Sequence, residues 1–376
     1  MKSHKANAIR RLVVLGATGT VGVQTLEILR RADSPLRVTA LSAHTREREL
    51  AALAAAQAAP RTFLTSDAGQ NQALLEFLAA GDYEVCMQGM VGAAGLPYSE
   101  AVLRAGKSLA LANKESLVLA GEHLLRLARR TGGRIVPVDS EHSAIHQCLD
   151  GREPGDVRRL FLTASGGALR DRPLDELAEV TPEQALAHPN WDMGPRITVD
   201  SATMMNKAFE ILEAAHLFGV AADKVRILLH RQSVVHSMVE FIDGSILGQL
   251  GPPDMAFPIH YALHWPERVP APLQGFDPAL FAELTFEEPS LERFPALSLG
   301  WRAAELGGAA GAVLNAADEV AVKAFLAGRL GFREIHSLCA ETLEALGGLP
   351  ADSLDAVFDA DRGAREHASG LLAAMR

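Results

Sequence analysis

The sequence predicts an α/β protein: a doubly wound N-terminal domain, then an α+β region, then a C-terminal α-helical bundle. Three observations carry this expectation. From Arg11 to about Val138, short apolar runs alternate with helical patterns, as strands joined by crossover helices do. After Gly151 the apolar runs crowd together and become hairpin-like, which suits partly antiparallel pairing. From Gly300 onward, helical patterns follow one another with glycines between them. A chain of 376 residues is long enough for two or three domains, each with its own core.

The elements follow in order. "RLVVLG" reads as a buried strand and "VGVQTLEILRR" as an amphipathic helix. "LRVTALSA" is a second strand, and the alanine-rich stretch 47–59 a second helix. "YEVCMQGM" and "SLALAN" are strands, "ESLVLAGEHLLRLARR" is a helix, and "GRIVPV" closes the first sheet. Beyond Gly151, "VRRLFLTAS", "KVRILLH", "SVVHSMVEFIDG" and "SILGQLG" are strands, with a helix near 201–217 among them. Six prolines and little periodicity between about 266 and 300 predict an extended linker crossing the surface. "WRAAELGG", "NAADEVAVKAFLAG", "REIHSLCAETLEAL" and "RGAREHASGLLAAM" supply the bundle.

Composition narrows the function. Apolar residues make up 48% and charged residues 22%, as in an ordinary globular protein. A net charge of −10 disfavours nucleic acid as a partner, because phosphate backbones need a basic surface. An anionic small-molecule ligand must then be held by locally placed donors. Three scattered cysteines are too few for a disulfide framework or a tetrahedral zinc cluster. The N-terminus runs directly into a strand and a glycine turn, and no apolar run reaches about 18 residues. A cytoplasmic protein without membrane contact is expected.

In "VVLGATGTVGVQTL", Gly16, Gly19 and Gly22 stand between a strand and a helix. The spacing is one residue off the usual dinucleotide fingerprint, yet it meets the same needs: a tight turn, close backbone approach to pyrophosphate, and a helix N-terminus beneath it. A merely structural turn is the alternative. The second strand ends in "SAHTRERE", with no acid before Glu47 to take a ribose hydroxyl. Arg46, with His44 and Thr45, could receive a 2′-phosphate, which favours NADPH; otherwise Arg46 is a solvated residue at a helix start.

"IVPVDSEHSAIHQ" places two carboxylates around a serine at the end of a strand. Asp139, Ser140 and Glu141 could simply cap a helix. In "SATMMNKAFEIL", Met204, Met205, Ala208, Phe209 and Leu212 form an apolar stripe, and Asn206 and Glu210 share the opposite face with Lys207 beside them. Alone, that face reads as solvated. His142 and His146, four apart, suit zinc, but no third ligand stands at fitting spacing. Cys148 is the one candidate nucleophile for a semialdehyde-type or acyl-phosphate dehydrogenase, and it lacks an activating neighbour in the sequence. A non-catalytic NADPH sensor of the same fold is a further alternative.

Taken together, "VGAAGL", "LANKESLV", "PVDSEHSAI", "TASGGALR", "HPNWDMG", "VDSATMMNKAFE", "HRQSVVHSMV" and "LNAADEV" resemble, in order and over nearly the whole chain, the 1-deoxy-D-xylulose 5-phosphate reductoisomerase family. Its members are NADPH- and metal-dependent enzymes of non-mevalonate isoprenoid synthesis. The resemblance implies an NADPH-binding, Rossmann-like domain over 1–139 and a catalytic α+β domain over 140–270 with a mobile flap at about 185–197. A linker over 271–300 and a helical domain over 301–376 follow, usually in a homodimer. It implies that Asp139, Glu141 and Glu210 ligate one Mg²⁺, Mn²⁺ or Co²⁺, and three carboxylates do suit a hard cation.

By the same resemblance Ser165, Ser201, Asn206 and Lys207 hold the substrate phosphate with His188 nearby, and Ser140 reaches a substrate hydroxyl. Trp191 covers the carbon chain and Met193 touches the nicotinamide. Gly16, Thr18, Gly19, Thr20, Val21, His44, Thr45, Arg46 and Gly194 serve the cofactor, with Asn113, Lys114 and Glu115 at its nicotinamide side. Lys114, Glu141, His188, Glu210 and His236 are the expected catalytic residues. By themselves Ser165 and Ser201 are turn or helix caps, Trp191 is a packing anchor, and His236 belongs to a sheet core.

Overall fold

A computed structural model describes residues 9–32, 34–58, 61–189, 191 and 193–375. Asn190 and Asp192 of the expected flap, the first eight residues, and Ala59 at the end of the alanine-rich stretch lie outside the described residues. The chain forms two compact units.

The first unit comprises the chain through Ser116, Glu122–Ser143 and Asp254–Gly275. Its sheet has six parallel strands: β1 (Arg10–Leu15), β2 (Leu36–Ala43), β3 (Arg61–Leu64), β4 (Val85–Gln88), β5 (Ser108–Leu111) and β6 (Arg134–Pro137), in the order β3-β2-β1-β4-β5-β6. The strands are near-continuous apolar runs because helices cover both faces. Leu12, Val14, Leu41, Val85, Met87 and Val136 lie in one core with Leu26 and Ile28 of the helix Thr20–Arg31. β1 pairs with β2 on one side and β4 on the other, so the strand order reverses there. In such sheets ligands bind outside the carboxyl ends of the strands at that reversal.

One segment departs from the expected boundary at 270. The helix Ala256–His264 buries Ala256, Ile259, Ala262 and Leu263 in the core of the first unit. Its apolar stripe recurs every three to four residues, and that periodicity specifies a partner surface without saying which one.

The second unit contains Leu117–Gly121, Ala144–Pro253 and the chain from Phe276 onward. Its sheet is mixed: β7 (Val157–Ala164), β8 (Val225–Leu229), β9 (Val235–Phe241) and β10 (Ile246–Leu250), in the order β10-β9-β7-β8. β7 runs parallel to β8 and antiparallel to β9, and β9–β10 is a hairpin. Leu160, Leu162, Ile227 and Val239 pack with Met204, Ile211 and Ala214 in one core.

The single helix expected near 201–217 is two helices, Pro195–Thr203 and Met205–Phe218. Met204 separates them in the left-handed conformation (φ 64°), which ends one helix and re-aims the next. The expected linker is partly built into this unit. Leu229 and Glu287 exchange backbone hydrogen bonds of 2.7 and 3.0 Å, and Phe294 lies in the second core. Four helices complete the unit: Ala296–Leu306, Ala310–Leu326, Phe332–Leu346 and Leu354–Ala374. Among the described residues, no helix is long and apolar enough to cross a membrane.

Candidate functional site

In the first unit the glycine turn leaves β1 and enters the helix Thr20–Arg31. Gly16 adopts φ +72°, a conformation that L side chains rarely take. A Cβ on Gly22 would stand 2.4 Å from the Gly16 carbonyl oxygen, so the third glycine is needed for the helix to approach the strand. The turn is anchored to β2, where the Ala17 N–H donates to the Ser42 carbonyl at 2.7 Å. Thr20 and Val21 open the helix, and the turn supplies Thr18 and Gly19.

Of the candidates at the end of β2, Arg46 reaches back to the turn and donates to the Thr18 carbonyl at 3.3 Å. His44 instead meets the Thr65 hydroxyl at 3.1 Å. Thr45 stands between them with its backbone carbonyl accepting from the Glu47 N–H.

The "VGAAGL" stretch has no role legible in its residue types. The structure sets the segment just before it against the glycine turn: a Cβ on Gly16 would meet the Gly89 oxygen at 2.6 Å. That segment is held by Asn113, whose amide donates to the Met90 and Gly92 carbonyls at 2.9 and 3.1 Å. The same side chain accepts from the Ser116 N–H, capping the helix Lys114–Thr131, and donates to Glu115 at 2.9 Å. Gln88 adds a bond from its amide to the Gly95 carbonyl at 2.9 Å. Asn113 therefore shapes the loop at the strand-order reversal. The signal in the sequence was a polar residue at each strand end, Gln88 and Asn113, amid apolar runs.

Lys114 Nζ lies 2.8 Å from Asp139 Oδ2, both part-buried. Asp139 also caps the helix Ser140–Leu149, its carbonyl accepting from the Ser143 N–H at 2.8 Å. Its other carboxylate oxygen is 3.3 Å from Nδ1 of the fully buried His142. Ser140 Oγ donates to Glu141 Oε2 at 2.5 Å. The capping role and a charged cluster thus coexist at one strand end.

In the second unit, β7 ends in Ala164 and the "ASGG" turn follows. Trp191 N–H donates to His188 Nδ1 at 3.0 Å, which makes Nδ1 the unprotonated nitrogen. Nε2 then carries the proton and donates to Ser165 Oγ, 3.0 Å away. Gly167 N–H donates to the same oxygen at 3.2 Å, so the serine hydroxyl accepts twice and keeps its own proton to give. Burial, and secondarily the charge of Arg170, lowers the His188 pKa and keeps the ring neutral.

The turn rests on the next helix: Gly167, at φ +70°, would bring a Cβ within 2.5 Å of the Ser201 carbonyl oxygen. Gly194 caps that helix, its carbonyl accepting from the Thr198 N–H at 3.1 Å and hydroxyl at 2.9 Å, with the Met193 carbonyl 3.5 Å from the same hydroxyl.

The helix Met205–Phe218 is buried on nearly every side, so its polar face is no solvated one. Glu210 is fully buried, and its two oxygens accept from Asn206 Nδ2 at 2.5 Å and Lys207 Nζ at 2.7 Å. Burying a carboxylate is costly unless cations and donors surround it, which marks this position as a place built for positive charge. His236 stands in β9 and donates from Nε2 to the Pro252 carbonyl at 3.3 Å. Cys148 is buried, with its thiol pushed up to about 11, which makes it a poor nucleophile at neutral pH.

Comparison with known proteins supplies the remaining observation. Residues 12–74 and 65–121 match the family model of 1-deoxy-D-xylulose 5-phosphate reductoisomerase, and 135–218 and 250–367 match two C-terminal domain models of the same enzyme. The chain is 48% identical over 381 residues to the 1-deoxy-D-xylulose 5-phosphate reductoisomerase of Xanthomonas euvesicatoria, covering 96% of each. It is 47% identical to that of Ralstonia nicotianae, covering 97% of this chain and 98% of the relative. Among solved structures, the Zymomonas mobilis enzyme in complex with NADPH superposes with a TM-score of 0.89 at 41% identity, over 96% of this chain and 99% of that one. A reductoisomerase in complex with NADPH, fosmidomycin and magnesium gives 0.90 at 35% identity, over 97% and 99%.

Proposed function

This chain belongs to the 1-deoxy-D-xylulose 5-phosphate reductoisomerase family, and we propose from that premise which of its residues hold the metal, the cofactor and the sugar phosphate. The enzyme converts 1-deoxy-D-xylulose 5-phosphate to 2-C-methyl-D-erythritol 4-phosphate with NADPH and a divalent cation. Asp139, Glu141 and Glu210 each offer a carboxylate oxygen and ligate that cation. An all-oxygen, anionic donor set fits a hard ion such as Mg²⁺ or Mn²⁺ and leaves positions for substrate oxygens. The observation that carries this assignment is Glu210, a carboxylate with no exposed surface that already gathers an ammonium and an amide.

When bound, the cation polarises the ketone of the substrate for skeletal rearrangement and NADPH supplies the hydride. The side chains do the rest. Ser165 gives its hydroxyl proton to the phosphate, since His188 and Gly167 already occupy its lone pairs. Ser201, Asn206 and Lys207 add donors and one positive charge to a dianion that the net charge of the chain disfavours. Trp191 covers the carbon chain and Met193 lies against the nicotinamide, excluding water. Lys114 and Ser140 orient Asp139 and Glu141 through their hydrogen bonds. Arg46 meets the 2′-phosphate of NADPH beside Thr18.

A cytoplasmic homodimer completes the reading. β10 is an edge strand whose Ile246, Leu247 and Leu250 are exposed, a surface that a second copy would cover.

The test is NADPH oxidation with 1-deoxy-D-xylulose 5-phosphate, with and without Mn²⁺, in the parent and in Glu210→Gln. The variant should lose at least 10³-fold in turnover, as expected when a metal's electrostatic stabilisation is removed, and retain NADPH affinity. A near-parental rate would refute the ligand assignment.

A further inference from the structure

Arg196 is the second residue of the helix that carries Ser201, after the Gly194 cap and Pro195, yet nothing in the sequence singled it out. Its side chain is three-quarters buried, and the guanidinium is engaged by the C-terminal bundle and by Asp200 of its own helix, whose Oδ2 lies 3.6 Å from Nε. Nε and Nη2 donate to Asp318 Oδ2 at 3.2 and 2.9 Å, Nη2 donates to Asn315 Oδ1 at 2.8 Å, and Nη1 donates to Glu319 Oε1 at 2.9 Å. All three acceptors lie on the helix Ala310–Leu326. The other oxygen of Glu319 accepts from Arg365 Nη1 at 2.7 Å, and Arg365 is held by Asp361 through bonds of 2.7 and 2.9 Å. The chain of ion pairs thus runs through three helices.

Two further contacts aim this network at the site. The Arg196 guanidinium lies 5.8 Å from the ring centroid of Phe209, the residue before Glu210. The turn bearing Ser165 rests on the same helix at Ser201, where Gly167 leaves no room for a side chain. Asp318 has no exposed surface, and burial raises its pKa; the charge and hydrogen bonds of Arg196, with a hydrogen bond from Asp200, work against that rise. Only a planar fork can serve three acceptors on one helix and present a face to a ring at once.

We propose that Arg196, clamped by Asp318 and Glu319, is a positioning residue for phosphate recognition: it fixes the helix Pro195–Thr203 so that Ser201 meets the phosphate held by Ser165. This rests on the assignment of Ser165 and Ser201 to the phosphate given above. The bundle thereby contributes to substrate affinity although none of these bundle side chains has a role in that assignment.

The test compares Arg196→Gln, Arg196→Lys, Arg196→Gln/Asp318→Asn and Ser201→Ala in steady-state kinetics and thermal melts. Arg196→Gln should raise the KM for 1-deoxy-D-xylulose 5-phosphate at least tenfold, leave the KM for NADPH within twofold, and lower the melting temperature. Arg196→Lys, which keeps the charge and loses the fork, should fall between. The double variant removes the fully buried one of the stranded carboxylates and leaves Asp200 and Glu319, so its melting temperature should recover in part while its substrate KM stays high.

A role confined to stability predicts the reverse for the double variant, with KM recovering alongside the melt, and that result overturns the proposal. So does a substrate KM within twofold of the parent in a folded Arg196→Gln protein. Glu319→Gln, at a part-exposed position, keeps the test decisive if the arginine variants do not accumulate; it should raise the substrate KM several-fold, and an unchanged value counts against the clamp. If Ser201→Ala leaves the substrate KM unchanged while the Arg196 variants raise it, the phosphate assignment fails and the clamp acts elsewhere.

Discussion

Replacing Gly22 by alanine tests the cofactor turn most directly. The added Cβ would lie 2.4 Å from Gly16 O, 2.5 Å from Ala17 Cα and 2.7 Å from Ala17 C, where real contacts essentially never fall under 3.0 Å. All three atoms are backbone, so none can swing aside, and the helix must retreat by about 0.6 Å. Overpacking of this kind costs about 1–3 kcal/mol. At about 2–4 °C per kcal/mol for a unit of this size, the melting temperature of the free protein should fall by about 2–12 °C.

The same retreat carries the first N–H groups of the helix away from the pyrophosphate, and a loss of about 1.4 kcal/mol there is a tenfold weaker NADPH complex. Gly19→Ala is the control. Its Cβ meets only Gly16 O, at 3.3 Å, so the melt should shift by no more than about 2 °C, while the methyl obstructs the cofactor itself and weakens binding. Melts followed by circular dichroism and NADPH titrations followed by fluorescence read both effects. A Gly22→Ala protein that melts with its parent would refute the reasoning, whatever its NADPH affinity.

Three further outcomes are expected. Alkylating thiols on the native enzyme should leave activity intact, because Cys86, Cys148 and Cys339 are all buried with raised pKa values; inactivation that matches modification of Cys148 would revive the dehydrogenase alternative. Burial holds His264 down at about 4, below the ordinary 6.5, with Nδ1 donating to the His260 carbonyl and Nε2 facing the Ser34 hydroxyl. Its neutral ring stabilises the fold in full above about pH 6.5, and the contribution is lost as pH falls through about 4. His264→Gln should therefore show a smaller drop in urea midpoint between pH 7 and pH 5 than the parent, and equal drops would contradict this. Finally, exhaustive chelation should abolish turnover, with Mn²⁺ or Mg²⁺ restoring it; turnover that survives chelation would remove the metal from the chemistry.

Much of this protein was legible from its residues alone. Strands of continuous apolar character had to be covered on both faces, and the alternation with helical periods left little but a parallel sheet. The glycine turn stood out because only glycine satisfies φ +72° at one position and a 2.4 Å approach at another, and local backbone sterics do not depend on the rest of the fold. The motifs around Asp139, Ser165 and Glu210 were legible only as a set, through the resemblance to one family; taken singly, their residue types suit a helix cap, a turn and a solvated face equally well.

The tertiary structure decided what depends on partners far along the chain. The apolar stripe of Ala256–His264 could bury against any complementary surface, and the core of the first unit, with Leu26 and Ile28, claimed it. Solvent would have satisfied the Asn206–Glu210 face just as well, and only the packing around the helix Met205–Phe218 turned it into a buried charged cluster. Arg196 looked like any surface arginine until the helix Ala310–Leu326, more than a hundred residues on, brought three acceptors to its guanidinium. Local conformation and residue chemistry are written in neighbouring positions, but the partner of a face or a charge is set by which surfaces the whole chain leaves to be buried together.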